Sequence, residues 1–288
     1  MPSMVMLLLA FPSQLAAGAE GDKEDADSNR RTVVLQGSNP DHAAQVKSVL
    51  GKELPDDHTL KLVYIRVPGG TPSLGLVQVL QMATSLNADG ERDGIEIQRD
   101  STFRGPLTRI TPFVEGKRHG SERLYARGGY VRATVEWVDG VRHGLRKSFR
   151  ADGSVQSEVM FENGIAIGRS TSYNAEGKVI EVTDYESGEV HGKRTQYWPD
   201  NPDVVRRAIL YVHGKVHGIT REYHENGQLS KEMPFKNGVL HGKERHFDEE
   251  GKPIRTRYWL EGDVVPLGVF EKEFAPNDSA NEDDEHDQ

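Results

Sequence analysis

From residue 114 to residue 259 the chain repeats itself about every 24 residues, and nothing else in the sequence constrains the fold as tightly. Six segments align: Val114-Glu-Gly-Lys-Arg-His-Gly120, Val138-Asp-Gly-Val-Arg-His-Gly144, Glu162-Asn-Gly-Ile-Ala-Ile-Gly168, Glu186-Ser-Gly-Glu-Val-His-Gly192, Val212-His-Gly-Lys-Val-His-Gly218 and Lys236-Asn-Gly-Val-Leu-His-Gly242. Their first glycines are Gly116, Gly140, Gly164, Gly188, Gly214 and Gly238. Their closing glycines, Gly120, Gly144, Gly168, Gly192, Gly218 and Gly242, are separated by 24, 24, 24, 26 and 24 residues. A histidine precedes five of these: His119, His143, His191, His217 and His241. Ile167 takes its place in the remaining unit.

Other columns keep the register. Five residues after each closing glycine stands an aromatic: Tyr125, Phe149, Tyr173, Tyr197, Tyr223 and Phe247. A second aromatic ends each unit: Trp137, Phe161, Tyr185, Tyr211, Phe235 and Trp259. Between them lies a turn position, Gly129, Gly153, Gly177, Asn201, Gly227 or Gly251. Asp152-Gly153 and Asn226-Gly227 are hairpin-turn pairs, because these residues tolerate the left-handed region. The following segment alternates, with Val131, Ala133, Val135 and Trp137 on one face and Arg132, Thr134 and Glu136 on the other. Each repeat thus reads as two strands, a tight turn and a glycine-marked reversal into the next. A lone hairpin is marginal in water, so stability has to come from stacking, with the aromatics forming a ladder.

The fold expected is mostly β: an elongated, twisted antiparallel sheet of tandem β-hairpins with a small α/β cap at its N-terminal end. The array extends loosely over 88–274. A degenerate unit lies around Gly90, Gly94 and Phe113, and a truncated one runs from Gly262 to Phe274. Extra residues at Trp198-Pro-Asp-Asn-Pro202 lengthen one turn and are expected to protrude, which makes Trp198 and Asn201 candidate partner contacts. Residues 32–87 form the cap, with a separate small domain as the alternative. Asn39-Pro40 starts a helix that Gly51 ends, and Thr59–Val67 is a strand. Thr71-Pro72 caps a second helix running to about Leu86, with Leu74, Val77, Leu80 and Met82 apolar.

The chain ends differ in composition. Val5-Met-Leu-Leu-Leu-Ala-Phe11 followed by Ala17-Gly-Ala19 reads as a signal peptide without a basic start, cleaved near Ala19, with an acidic leader to residue 31. The protein is then exported, periplasmic or extracellular; if the leader is no true signal, it is cytoplasmic. The net charge of −9 is concentrated in the tail 275–288, which carries −6, and in Glu20–Arg31, which carries −2. A body near neutrality gives no electrostatic reason for nucleic-acid binding. No segment after the leader is apolar enough to cross a membrane. The absence of cysteine excludes disulfides, thiolate ligands and a cysteine nucleophile. Thirty glycines against 35% hydrophobic residues fit a thin, turn-dense structure better than a thick core.

The glycine–aromatic–glycine–aromatic pattern resembles the MORN-repeat-variant family, including the YwqK-type antitoxin-component repeats. Lys236-Asn-Gly-Val-Leu-His-Gly-Lys243 and Tyr223-His-Glu-Asn-Gly-Gln-Leu229 carry the likeness, and Ile167 departs from it. The resemblance implies hairpin arrays used for protein contacts, in some members for lipid association, with no shared catalytic residue.

Chemistry is otherwise sparse. The histidine column invites a metal, yet one repeated turn position explains all five residues without convergence of ligands. The aromatic columns read as core. Val67-Pro-Gly-Gly-Thr-Pro-Ser73 lacks the Lys-Ser/Thr of a phosphate loop. Carboxylates are expected on a solvated face. The function expected is therefore a non-enzymatic protein-binding scaffold without cofactor, its partner another protein. Alternatives are an antitoxin or immunity-type inhibitor of a toxin domain, a peripheral lipid binder, and an enzyme using the cap. Self-association through an open sheet edge is available.

Overall fold

The structure is a computed structural model that describes residues 23–24, 30–36, 38–68, 76–102 and 105–274. Residues 1–22 with the cleavage site, the Thr71-Pro72 cap and the acidic tail lie outside the described residues; of the expected leader, Lys23–Glu24 and Arg30–Arg31 are instead strand residues, Glu24 facing Arg31. The chain forms two compact units, Met1–Arg142 and His143–Gln288. Among the described residues no helix is long and apolar enough to cross a membrane.

The first unit is an antiparallel meander. Strands β1 (Lys23–Glu24) and β2 (Arg30–Gln36) precede helix α1 (Pro40–Leu50), then β3 (Thr59–Pro68), β4 (Leu76–Leu86), β5 (Arg92–Arg99), β6 (Leu107–Val114), β7 (Lys117–Arg118), β8 (Gly120–Tyr125) and β9 (Val131–Val138). Local signals fix α1 as expected. The Asn39 side chain accepts from the Asp41 N–H at 2.9 Å, Pro40 opens the first turn, and Gly51 ends the helix at φ 72. Val46 of α1 packs with Leu54 and with Val33, Leu35, Leu60, Leu62 and Ala83 of the sheet to form a continuous apolar core.

The helix expected to Leu86 is instead strand β4, which pairs with β3 along its length, from Thr59↔Leu86 to Pro68↔Leu76. A bulge explains the misreading. Val63 faces Met82, but Tyr64 faces Leu80, so Gln81 is left over. On one face the positions thereby shift from odd (77, 79) to even (Met82), opposite Val67, Ile65 and Val63, while Leu80 shares the other face with Ala83. The resulting spacings of three and two imitate a helical stripe.

The second unit continues the repeat, with the division falling inside β10 (Val141–Phe149). It contains β11 (Val155–Glu162), β12 (Ile165–Tyr173), β13 (Val179–Glu186), β14 (Glu189–Tyr197), β15 (Val205–Val212), β16 (Lys215–Val216), β17 (Gly218–Tyr223), β18 (Leu229–Lys236), β19 (Val239–Leu240), β20 (Gly242–Phe247), β21 (Pro253–Leu260), β22 (Asp263–Val265) and helix α2 (Leu267–Glu273). From β10 to β22 every pairing is antiparallel. The truncated last unit begins with a strand as expected, but α2 follows in place of a second one. Val265-Pro266 ends the strand, and residues 267–273 close onto β21 through Phe270, whose ring lies 4.9 Å from that of Tyr258.

Two turn types alternate. At one edge, pairs such as Glu115-Gly116, Asn237-Gly238 and Glu261-Gly262 hold positive φ at both positions, the two-residue turn matched to sheet twist. At the other, Gly153, Gly177, Gly227 and Gly251 close three-residue loops in which the glycine N–H reaches back to a carbonyl three residues earlier.

Candidate functional site

The repeated glycine–histidine segment is a joint between neighbouring hairpins. In the first unit the N–H of Gly116 donates to Arg92 O and that of Gly140 to Arg118 O. In the second, Gly188, Gly214, Gly238 and Gly262 donate to Ala166, Val190, Val216 and Leu240, at 2.7–3.0 Å. Each tight turn is therefore seated on the backbone of the preceding repeat, one period back. The closing glycines form bulges with positive φ, from 65 at Gly168 to 126 at Gly242.

The histidines brace the same joint. Nδ1 of His191, His217 and His241 accepts from the N–H of His213, Asn237 and Glu261 at 3.3–3.5 Å, and each of these residues is the first of the next tight turn. His119 instead lies 3.5 Å from the Asp139 carboxylate, and His143 is exposed. Among the described residues, no three His, Asp or Glu side chains converge where a metal could sit.

The two aromatic columns, Tyr125 to Phe247 and Trp137 to Trp259, are half-buried throughout. The positions fully withdrawn from water between them are smaller or polar: Thr111, Ala133, Val135, Thr183, Ile209, Thr220 and Met233. Among them are carboxylates, contrary to the expectation of a solvated acidic face. Glu96, Glu122, Glu232 and Glu244 are buried. A buried carboxylate needs donors, and neighbouring strands supply them. Glu122 accepts from Thr111 and Trp137 Nε1 beside Arg109. Glu244 accepts from Trp259 Nε1 at 2.5 Å and meets His246 and Lys231. Glu232 is held between Arg221 and Arg245. Burial raises the pKa of Glu244, but the bonds from His246, Trp259 and Lys231 outweigh it and leave the pKa below the ordinary glutamate value. Sequence reasoning missed these groups, although Glu96, Glu122 and Glu244 share one signal: each follows a repeat glycine by two positions, inside the buried stripe.

A concave feature of the second unit lies at the lengthened turn. From Trp198 to Val204 the chain closes with three backbone bonds, Trp198 N to Val204 O, Asn201 N to Trp198 O and Val204 N to Asn201 O. Beside it is an open groove of about 410 Å³, lined by Arg150, Gln156, Tyr173, Glu181, Gln196, Tyr197, Pro199 and Arg206. Much of this lining is fixed in place. The Arg150 guanidinium donates to Val155 O at 2.8 Å and to Tyr173 O. Glu181 accepts from Gln196 at 2.7 Å and Arg194 at 2.9 Å. Burial works against the charged form of Glu181, yet those two donors keep its pKa low.

Of the two residues singled out in this turn, Asn201 is exposed and Trp198 is half-buried. The Arg206 guanidinium lies 5.8 Å from the Trp198 ring centre, and the indole Nε1 is buried without a hydrogen-bond partner among the described residues. The groove is walled by their neighbours Tyr197, Pro199 and Arg206.

Comparison with known proteins agrees with the repeat. Residues 142–163 and 216–237 match the model of the MORN repeat variant. No curated protein matches the chain. Among solved structures, a mutant of S. aureus TarM in complex with fondaparinux, alpha-GlcNAc-glycerol and UDP aligns at 17% identity and a TM-score of 0.25. The alignment covers 32% of this chain and 18% of that one, and at that score carries no argument. The chain is thus a hairpin-repeat protein, two of whose repeats are similar to the MORN repeat variant.

Proposed function

We propose that this chain is a non-enzymatic repeat protein that binds a segment of another protein in the groove beside Trp198–Val204. The carrying observation is the coincidence of the groove with the one clear repeat whose spacing is 26 rather than 24 residues. A uniform array offers the same surface many times; an irregular unit offers one that is distinct.

The chemistry of the lining supports a protein ligand. Tyrosine and arginine dominate contact energies in protein interfaces. Here Tyr173 and Tyr197 stand with Arg150 and Arg206, and the amides of Gln156 and Gln196 add adaptable donors and acceptors. Arg150 and Glu181 are held by their own hydrogen bonds before any partner arrives, so little side-chain freedom is lost on binding. Charges of both signs suit a polypeptide better than an anionic membrane surface. The leader supports export, and amino-terminal sequencing of secreted chain beginning at Glu20 tests it.

The test of binding is an affinity pull-down from the native compartment with the intact chain and with Tyr197→Ala/Arg206→Ala. A protein retained by the first and lost by the second supports the reading. A protein retained equally by both, or binding only to anionic liposomes, overturns it. Neutralisation of a toxin domain on co-expression would identify the partner class further.

A further inference from the structure

Strand β21 is paired with β20 along its length, but on its other side only Tyr258, Trp259 and Leu260 find partners, in β22. Equivalent strands pair further down. In β15, Arg207 and Ala208 face Glu222 and Arg221; in β18, Lys231 and Glu232 face His246 and Arg245. In the last unit α2 follows β22 in the chain where a second strand would follow, and it packs through Phe270 on Tyr258 and through Phe274 on His241. Among the described residues, Pro253–Arg257 is therefore an open edge. Residues 253–256 are exposed, Ile254 to 64%. Such an edge is a template for another strand.

Its side chains select the occupant. Arg207, Lys231 and Arg255 occupy one column, 24 residues apart. The first two each meet a glutamate from the following strand, Arg207–Glu222 at 3.2 Å and Lys231–Glu244 at 3.3 Å. Arg255 and, on the same face, Arg257 have no ion-pair partner among the described residues, because the strand that would bring one is missing. A second copy pairing antiparallel through this edge would bring Arg255 and Arg257 toward their own copies, and like charges there repel. An acidic segment is attracted instead.

The chain carries one. Residues 275–288 follow α2 directly and hold six carboxylates with no lysine or arginine. Their starting point is within reach, since Phe274, the residue before the segment, lies 5.4 Å from His241, which accepts from the Glu261 N–H just past the end of β21. Fourteen extended residues reach about 46 Å, whereas the stretch from Tyr258 to Pro253 is roughly 17 Å. A segment running from Tyr258 toward Pro253 is antiparallel to β21, the direction of the strand that α2 replaces.

We propose that the acidic C-terminal segment, residues 275–288, lies along the open edge of β21 with its carboxylates on Arg255 and Arg257, completing the last hairpin unit. A charged, proline-bearing strand is also a poor template for further pairing, so the same contact closes the end of the second unit to other chains.

Hydrogen exchange at the amides of 254–257 tests this on the full chain. The comparison is with a variant whose six tail acids are changed to their amides. At low salt the variant is expected to exchange about tenfold faster, and high salt brings the native chain to the variant's rate. Arg255→Glu/Arg257→Glu loses the protection too, and changing the six acids to lysine in that background restores it. Equal exchange in native chain and amide variant at low salt overturns the proposal. So does protection that vanishes on dilution together with a dimer in sedimentation, which would place a second copy on the edge.

Discussion

Replacing Gly242 by alanine probes the joint between hairpins where the structure is least forgiving. Gly242 holds φ 126, positive-φ backbone that an alanine enters at a cost of about 1–2 kcal/mol. An added methyl would sit 2.9 Å from Cγ and 3.0 Å from Cβ of Pro234, a ring that cannot rotate away. Crowding of that kind adds about 1–3 kcal/mol. Together the loss comes to roughly 2–5 kcal/mol. Gly168 is the internal control. Its φ of 65 is ordinary left-handed backbone, and a methyl there meets nothing within 4 Å, so Gly168→Ala is expected to lose only the first component, about 1–2 kcal/mol. Urea unfolding followed by tryptophan fluorescence measures both, and Trp259, bonded to Glu244 of the Gly242 strand, reports on the relevant repeat. Equal losses, or a larger one at Gly168, would refute the close approach at Pro234 and with it the register of the joint.

Further outcomes are expected at three side chains. Glu244→Leu strands the Trp259 indole N–H and the Lys231 ammonium and costs about 2 kcal/mol. Because the folded pKa of Glu244 is depressed, its contribution is complete above the ordinary glutamate range and is lost as pH falls through the folded value; the urea-midpoint gap between native chain and Glu244→Gln should therefore narrow from pH 7 to pH 3, and an unchanged gap would count against it. In the first unit, burial opposes the charge on His58, but Asp57 at 2.8 Å and Asp93 at 3.2 Å outweigh it and raise the pKa. The stability His58 provides is full below about pH 6.5 and fades as pH rises through the folded value, so exchange of the 56–58 amides should quicken there, and Asp93→Asn should abolish most of that pH dependence. His241→Ala removes the acceptor for the Glu261 N–H and the ring contact with Phe274, costing about 1 kcal/mol, while added zinc leaves the melting temperature unchanged.

Much of this architecture is legible in the sequence because the repeat multiplies weak local signals. One Asn-Gly pair is an ordinary turn hint, but Asn163-Gly164 and Asn237-Gly238 recur in the same frame as Asp139-Gly140, and that frame fixes strand pairing and face. The helix 40–50 is equally legible, since Asn39, Pro40 and Gly51 act within a few residues. What escaped depends on contacts distant in sequence. Leu76–Leu86 is a strand because β3 lies beside it, and the bulge at Gln81 hides its alternation. Glu122 and Glu244 look like surface acids until Trp137 and Trp259 are placed 15 residues on, with donors turned toward them. Around Trp198 the sequence points to the right place and not to every residue: the insertion marks the turn, but only the packing of Arg206 over the indole leaves Tyr197 and Pro199 as the groove wall.

The central claim is that recognition belongs to the irregular repeat and not to the array as a whole. The most direct measurement is the affinity of the captured protein for the native chain and for one in which Trp198–Val204 is replaced by the five-residue turn Asn174–Lys178 of the preceding repeat. If the groove is the contact, binding falls by about a hundredfold or more, some 2.7 kcal/mol, while circular dichroism and melting temperature stay those of the native chain. Undiminished affinity in a correctly folded variant would contradict the claim.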